Sequence, residues 1–258
     1  YSSAHNPDAE FDDLKGAVAD AGTFKRALEA AYRLDLDRPD AGQCRSANAI
    51  SITLTNQCAT RIAILEAFAA QIGAAAVGDT VLFYFAGHGS RLADDQVFDQ
   101  ASGYNSTLLP VDARKPGATQ STEILDREIR VLIDIASARG VNVVTVFDAC
   151  NSGTGARGEI GEGRSRGVDP VAARPPVPFR ARLAASGPGG GYRVHFGAAR
   201  DDEEAREVGR GDSFNGVFTT AFAQALVARP DATFGDIATA VRLKVEQGGH
   251  KNQHPQAE

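Results

Sequence analysis

The sequence predicts a three-layer α/β/α sandwich around a mostly parallel central sheet. Two observations carry this. The runs Thr80-Val81-Leu82-Phe83-Tyr84-Phe85 and Val141-Asn142-Val143-Val144-Thr145-Val146-Phe147 are almost continuously apolar and rich in β-formers, the pattern of strands covered on both faces. Around them, segments with apolar residues at helical spacing alternate with short strand-like runs.

In chain order, Leu14, Val18, Ala21, Phe24 and Leu28 mark an amphipathic helix over 14–32. Ser51-Ile52-Thr53-Leu54 reads as a short strand, after which Thr55-Asn56 is expected to cap a helix burying Ile62, Leu65, Phe68 and Ile72. The strand over 80–85 ends at Ala86-Gly87-His88-Gly89. A polar stretch then leads to a helix carrying Ile124, Ile129, Leu132 and Ile133. The strand over 141–147 ends at Asp148-Ala149-Cys150. From 151 to 191 glycine, proline and arginine dominate and periodicity disappears, so this is read as a mobile surface linker between two parts of a single domain spanning 1–258. A strand over 192–198 and helices over 213–227 and 234–245 complete the pattern.

The chain of 258 residues, 43% hydrophobic, is long enough to bury a sizeable core. No apolar run approaches bilayer length and no signal segment opens the chain, so no membrane partner is expected. A net charge of −6 with scattered lysine and arginine offers no stripe for phosphates, so no nucleic-acid partner is expected either. There is no methionine, so the chain reads as a trimmed or processed product. A cytoplasmic monomer is expected, with export left open. Of the three cysteines, Cys44 and Cys58 are read as reduced, buried thiols, with a bridge as the alternative for an exported protein. No Cys-x-x-Cys or histidine cluster has metal-ligand spacing.

His88 and Cys150 both fall at the carboxyl ends of the two most apolar strands, where open α/β sheets gather their ligands. An imidazole beside a thiol can take its proton and make it a nucleophile. Either residue alone would be an ordinary turn histidine or core cysteine; their joint placement favours catalysis. The amides of Gly89 and of Cys150 itself are candidate donors to an oxyanion.

Phe83-Tyr84-Phe85-Ala86-Gly87-His88-Gly89-Ser90 resembles the strand and Gly-His-Gly signature of the caspase, metacaspase and paracaspase clan. Phe147-Asp148-Ala149-Cys150-Asn151-Ser152-Gly153 resembles the nucleophile turn of metacaspases and their bacterial relatives, the orthocaspases. Matches at Leu14-Lys15-Gly16 with Asp20-Ala21, Leu109-Pro110-Val111-Asp112, Ala198-Ala199-Arg200, Glu204-Ala205-Arg206-Glu207, Gly216-Val217-Phe218-Thr219 and Gln253-His254-Pro255-Gln256 extend the likeness along the chain. The resemblance implies a caspase-like fold, a dyad of Cys150 and His88, and Asp20 and Asp148 facing a specificity pocket. It also implies a core strand ahead of Tyr1.

Ala17 and Ala86 stand where many metacaspases have cysteine and serine, so the wall of the substrate pocket at Ala86 is expected to be less polar. At the positions of the family's calcium site this chain has Asn105, Leu125 with Asp126, and Arg157, too little charge for calcium. No cofactor is therefore expected.

The function expected is that of a cysteine endopeptidase acting on peptides and proteins after arginine, less well after lysine, because two converging carboxylates call for a planar cation. Self-cleavage is expected after one of Arg157, Arg164, Arg166, Arg174, Arg180 or Arg182. The alternatives are a catalytically silent caspase-like interaction module and a legumain-like or gingipain-like protease.

Overall fold

The computed structural model describes residues 13–38, 40, 42–93, 104–150, 163–172, 174–211 and 213–258. The first half holds α1 (Ala17–Tyr32), β1 (Arg45–Ala47), β2 (Ile52–Leu54), α2 (Arg61–Ala74), β3 (Thr80–Ala86), β4 (Gly89–Ala93) and β5 (Tyr104–Leu108). It continues through β6 (Ile124–Leu125), α3 (Asp126–Ala138) and β7 (Asn142–Asp148). The second half holds β8 (Gly163–Ser165), β9 (Arg193–Gly197), β10 (Arg206–Arg210), β11 (Ser213–Gly216), α4 (Val217–Ala228), α5 (Phe234–Gln247) and β12 (Gln256–Ala257).

The central sheet runs β12-β9-β7-β3, with β3, β7 and β9 parallel and β12 antiparallel at one edge. Successive side chains of a strand point to opposite faces, so β7 feeds two separate cores. Val143 packs with α2 and α3 residues such as Phe68 and Leu132, whereas Val144 and Val146 pack with Phe24 of α1 and with Phe218 and Phe222 of α4. Helices therefore cover both faces, and the three-layer α/β/α arrangement is the one expected.

Several details differ from the sequence reading. β7 is covered on both sides, but β3 has no further strand paired on its outer edge among the described residues, and Leu82 is exposed. A groove of about 840 Å³ runs along that edge, with Phe24 and Leu28 on one wall and Ile64 and Phe68 on the other. The short strand expected at 51–54 is β2, which pairs antiparallel with β1. The helix after it is capped by Thr60, whose hydroxyl accepts from the Ala63 amide at 3.4 Å, and buries Ile64 while Ile62 points outward. The stretch 213–216, read as the start of a helix, is a strand paired with β10; the helix begins after Gly216.

Cys44 and Cys58 are disulfide-bonded and neither is fully buried, which corrects the reading of two reduced, buried thiols. The reason is local. The β1–β2 pairing and the Thr55 N–H donating to the Cys44 carbonyl at 2.7 Å bring the two ends of the hairpin together. A short 3₁₀ turn over Asn56–Cys58 then returns the second cysteine, leaving the Cα atoms 5.5 Å apart.

The described part of the 151–191 stretch is not a free surface loop. Its strand β8 pairs antiparallel with β10, and further on bridges form at Gly89 with Gly167, Leu92 with Val171, and Ser121 with Pro176. Arginine-rich and proline-rich composition hid these contacts because most are made by backbone.

Candidate active site

His88 and Cys150 follow the carboxyl ends of two adjacent parallel strands in register, β3 and β7. Ala86 pairs with Asp148, so each reactive residue comes two positions after its strand's paired end. Both are buried. Ala86, expected in the pocket wall, is half-buried at the end of β3. Gly89 begins β4, and a side chain there would put its Cβ 1.8 Å from the Cys150 carbonyl oxygen, so no other residue fits without moving the turn that carries Cys150.

The Cys150 thiol is fully buried and turned toward the loop before β10. It accepts from the Ala205 N–H at 2.9 Å and donates to the Ala205 carbonyl at 3.3 Å. Burial pushes its pKa up to about 12, assisted by the nearby Glu204 carboxylate and opposed by hydrogen bonds from the Ala205 backbone, the Ser165 hydroxyl and the Arg166 backbone. In this arrangement the sulfur is a protonated thiol.

Asp20 and Asp148 both lie against one buried side chain, and that side chain belongs to the chain itself. The Arg166 guanidinium is fully buried, bonded through Nη2 to Asp20 and through Nη1 to the Asp148 carbonyl at 3.0 Å, with Asp148 Oδ1 at 3.4 Å and Glu207 Oε2 at 3.6 Å. Each carboxylate is braced from behind. Asp20 accepts from the Gly216 amide at 2.8 Å. Asp148 accepts from the Thr219 hydroxyl at 2.6 Å and the Thr219 amide at 3.1 Å, and the Tyr84 hydroxyl is 2.6 Å from that of Thr219. Glu207 accepts from the Lys15 and Gly16 amides, both at 2.9 Å.

A Cβ at Gly216 would sit 2.0 Å from Asp148 Oδ2, so a glycine is required for the carboxylate to reach the amino end of α4. Burial raises the Asp20 pKa to about 6, with the neighbouring Asp148 adding to the rise and Arg166 opposing it.

Around Arg166 the backbone is extended. Ser165, Arg164 and Gly163 pair with Arg206, Glu207 and Val208 of β10, and the Arg166 amide donates to the Ala205 carbonyl at 2.9 Å. The Arg166 carbonyl accepts from the Gly89 amide at 3.0 Å, which is the donor assigned to an oxyanion from the sequence. Beyond it, the chain turns onto β4: the Val168 amide donates to the Gly89 carbonyl at 3.1 Å, and Val168 is buried against Leu109 and Ala113.

The arginines expected as cleavage points therefore differ sharply. Arg166 alone of the five described lies buried in the cleft; Arg164, Arg180 and Arg182 are exposed and Arg174 is half-buried, while Arg157 lies outside the described residues. Glu207, Thr219 and Gly216 are the residues that sequence reasoning missed. All three stand in the quoted segments Glu204-Ala205-Arg206-Glu207 and Gly216-Val217-Phe218-Thr219. At the calcium positions, Asn105 is a buried residue of β5 and Leu125 a buried residue offering no side-chain oxygen. Among the described residues no group of three or more histidine, cysteine, aspartate or glutamate side chains is placed to hold a metal.

Comparison with known proteins bears on the fold and the family. A solved structure, protein GSU0716 from Geobacter sulfurreducens, matches the fold with a TM-score of 0.60 over 95% of this chain and 84% of that one, at 18% identity. Metacaspase-2 of Arabidopsis thaliana is 28% identical over 251 residues, 94% of this chain and 55% of the relative. Metacaspase-1 of the same plant is 38% identical over 77 residues, 30% of this chain and 19% of the relative, so the chain spans about half the length of its curated relatives or less. The family model described as metacaspase, peptidase C14 domain, matches residues 4–157, and the chain belongs to the metacaspase family.

Proposed function

We propose that this chain is a cysteine endopeptidase that cleaves after arginine, with Cys150 as nucleophile and His88 as its proton partner, and that it cuts itself between Arg166 and Gly167. The observation that carries the reading is Arg166: its guanidinium lies among three carboxylates while its carbonyl accepts from Gly89. A peptide poised for attack requires both, a side chain held in a selective pocket and a carbonyl oxygen on a preorganised donor.

The chemistry comes from the residues in turn. His88 takes the Cys150 proton as the sulfur swings from Ala205 to the carbonyl carbon, replacing a buried neutral thiol with a thiolate beside an imidazolium. The amides of Gly89 and Cys150 hold the oxyanion. The imidazolium then gives its proton to the departing amine, leaving a thioester that water opens. Arginine is preferred over lysine because a planar guanidinium reaches Asp20, Asp148 and Glu207 at once, where an ammonium is a single point. Calcium is not required, since Asn105 and Leu125 bring no charge to the family positions.

The deciding experiment is a fluorogenic peptide panel varying only the residue before the scissile bond, run with chelator and with calcium, beside Cys150→Ala and His88→Ala. Arginine peptides should turn over fastest in chelator, with Cys150→Ala inert and His88→Ala reduced by orders of magnitude. Preferred turnover of an aspartate peptide, or a rate that returns only with calcium, would overturn the corresponding part.

A further inference from the structure

The chain on the glycine side of the Arg166–Gly167 bond is anchored from Val168 onward by contacts of its own, while the Gly167 N–H reaches back to the Ser165 hydroxyl at 3.1 Å. The Val168 amide donates to the Gly89 carbonyl at 3.1 Å, and the Ser90 hydroxyl donates to the Val168 carbonyl at 2.7 Å. Arg114 Nη1 donates to the Asp169 carbonyl at 2.7 Å, and Arg114 is itself fixed by Glu123 at 2.8 Å. Val171 exchanges backbone hydrogen bonds with Arg91 and Ala93 at 3.3 and 3.2 Å, and Ser121 does so with Pro175 and Val177, both at 2.9 Å. Val168 is buried against Leu109 and Ala113. None of the contacts from Val168 onward needs the scissile bond.

We infer that, once the bond is cut, the new α-amino group of Gly167 stays beside Cys150 and acts as an acyl acceptor, so that the nicked protein transfers arginine-ended acyl groups onto its own Gly167. The inference rests on the self-cleavage reading. A thioester between Cys150 and an arginyl carbonyl has two possible partners. Water opens it to a carboxylate. The Gly167 amine attacks the same carbonyl carbon, forms an Arg–Gly peptide bond, expels the Cys150 sulfur and returns a proton to it, so no oxidant or other reactant is needed.

Proximity decides between the two, because a well-oriented neighbouring group acts at an effective concentration on the order of 10⁵ M or more. The amine must be neutral to attack, and α-amino groups titrate at about 7.7–8.0, so transfer gains on hydrolysis as pH rises. With 167–171 lying along β4, a donor must bind by its acyl side and carry a small leaving group.

The test lets wild-type protein cleave itself, then adds an N-acetylated peptide ending in arginine aminomethylcoumarin at pH 7 and at pH 8.5, with intact mass spectrometry of the 167–258 fragment. The expected result is a fragment heavier by the donor acyl group, more at the higher pH, with Val168→Ala lowering the ratio of adduct to released coumarin several-fold. An unmodified 167–258 fragment in nicked wild type overturns the transfer inference alone. Absence of any 167–258 fragment overturns the self-cleavage reading and this inference with it.

Discussion

The amide of Gly89 and the carbonyl of Arg166 are 3.0 Å apart, and this one bond joins the two halves of the site. It aligns the backbone next to Cys150 with a side chain already anchored on Asp20 and Asp148. Replacing Arg166 by glutamine should remove the ionic anchor and leave a buried amide among three carboxylates. The expected outcome is loss of cleavage at 166, read as the intact mass after incubation, with turnover of external arginine peptides retained or increased. Unchanged cutting at 166 in Arg166→Gln would show that the buried guanidinium does not choose the bond.

The thiol offers a second test. Since burial holds the Cys150 pKa at about 12, the uncut chain should present almost no thiolate at neutral pH. In His88→Ala, where self-cleavage should be slowed by orders of magnitude, the 163–171 segment should stay docked and iodoacetamide should label Cys150 slowly. Adding Arg166→Glu places a fourth carboxylate among three and drives the segment out of the cleft. Labelling of Cys150, followed by peptide mapping, should then be at least about tenfold faster in the double variant, with the imidazole absent from both proteins. Equal rates would mean that the docked strand does not shield the sulfur.

The disulfide gives a third. Cys44 and Cys58 close a loop with a sequence separation of 14, and a bridge of that span is worth about 3 kcal/mol through the unfolded chain. Reduction, or Cys44→Ser with Cys58→Ser, should lower the melting temperature by several degrees while leaving arginine-peptide turnover in place. A melting curve unchanged by reductant would show that the bridge contributes nothing.

Much of this was legible in the sequence where backbone periodicity and strand ends carry the signal. The apolar runs ending at His88 and Cys150 located both residues, because parallel strands in register bring their carboxyl ends together. The contents of the pocket were legible only in part. Asp148 is given by its place before Cys150, but Glu207 reaches the site through the Lys15 and Gly16 amides, contacts 192 and 191 positions apart that no local pattern encodes. Arg166 was one candidate among six, since the bonds that seat it are made by backbone and by β10, which composition does not reveal.

The last prediction concerns pH and starts from Asp20. Its pKa is raised to about 6 chiefly by burial, with Asp148 raising it further and Arg166 pulling it down. The groups facing it are Arg166, Asp148, Glu207 beyond the guanidinium, and the Tyr84 hydroxyl, whose own pKa is raised by burial and by the same two aspartates. When Arg166 leaves, its downward pull goes with it, while water entering the pocket relieves part of the burial that raises the group; Asp148 still raises it, so Asp20 in the open pocket should keep a pKa raised above the ordinary carboxylate value. Below its raised pKa Asp20 is neutral and the pocket holds an arginine side chain less tightly; above it the carboxylate is charged and binding strengthens. In the uncut protein the raised pKa means that Asp20 favours the fold most fully below its ordinary value of 3.8, and that this contribution is lost as pH rises through about 6. Turnover of an arginine peptide, measured as kcat/KM between about pH 5 and 8.5, should therefore rise through a limb displaced above the ordinary carboxylate range and carried mainly by KM. Asp20→Asn should abolish that limb and lower kcat/KM at about pH 8 by about tenfold or more, since one pKa unit of lost charge interaction is about 1.4 kcal/mol. A limb of unchanged position in Asp20→Asn would assign it to another group, His88 first among them.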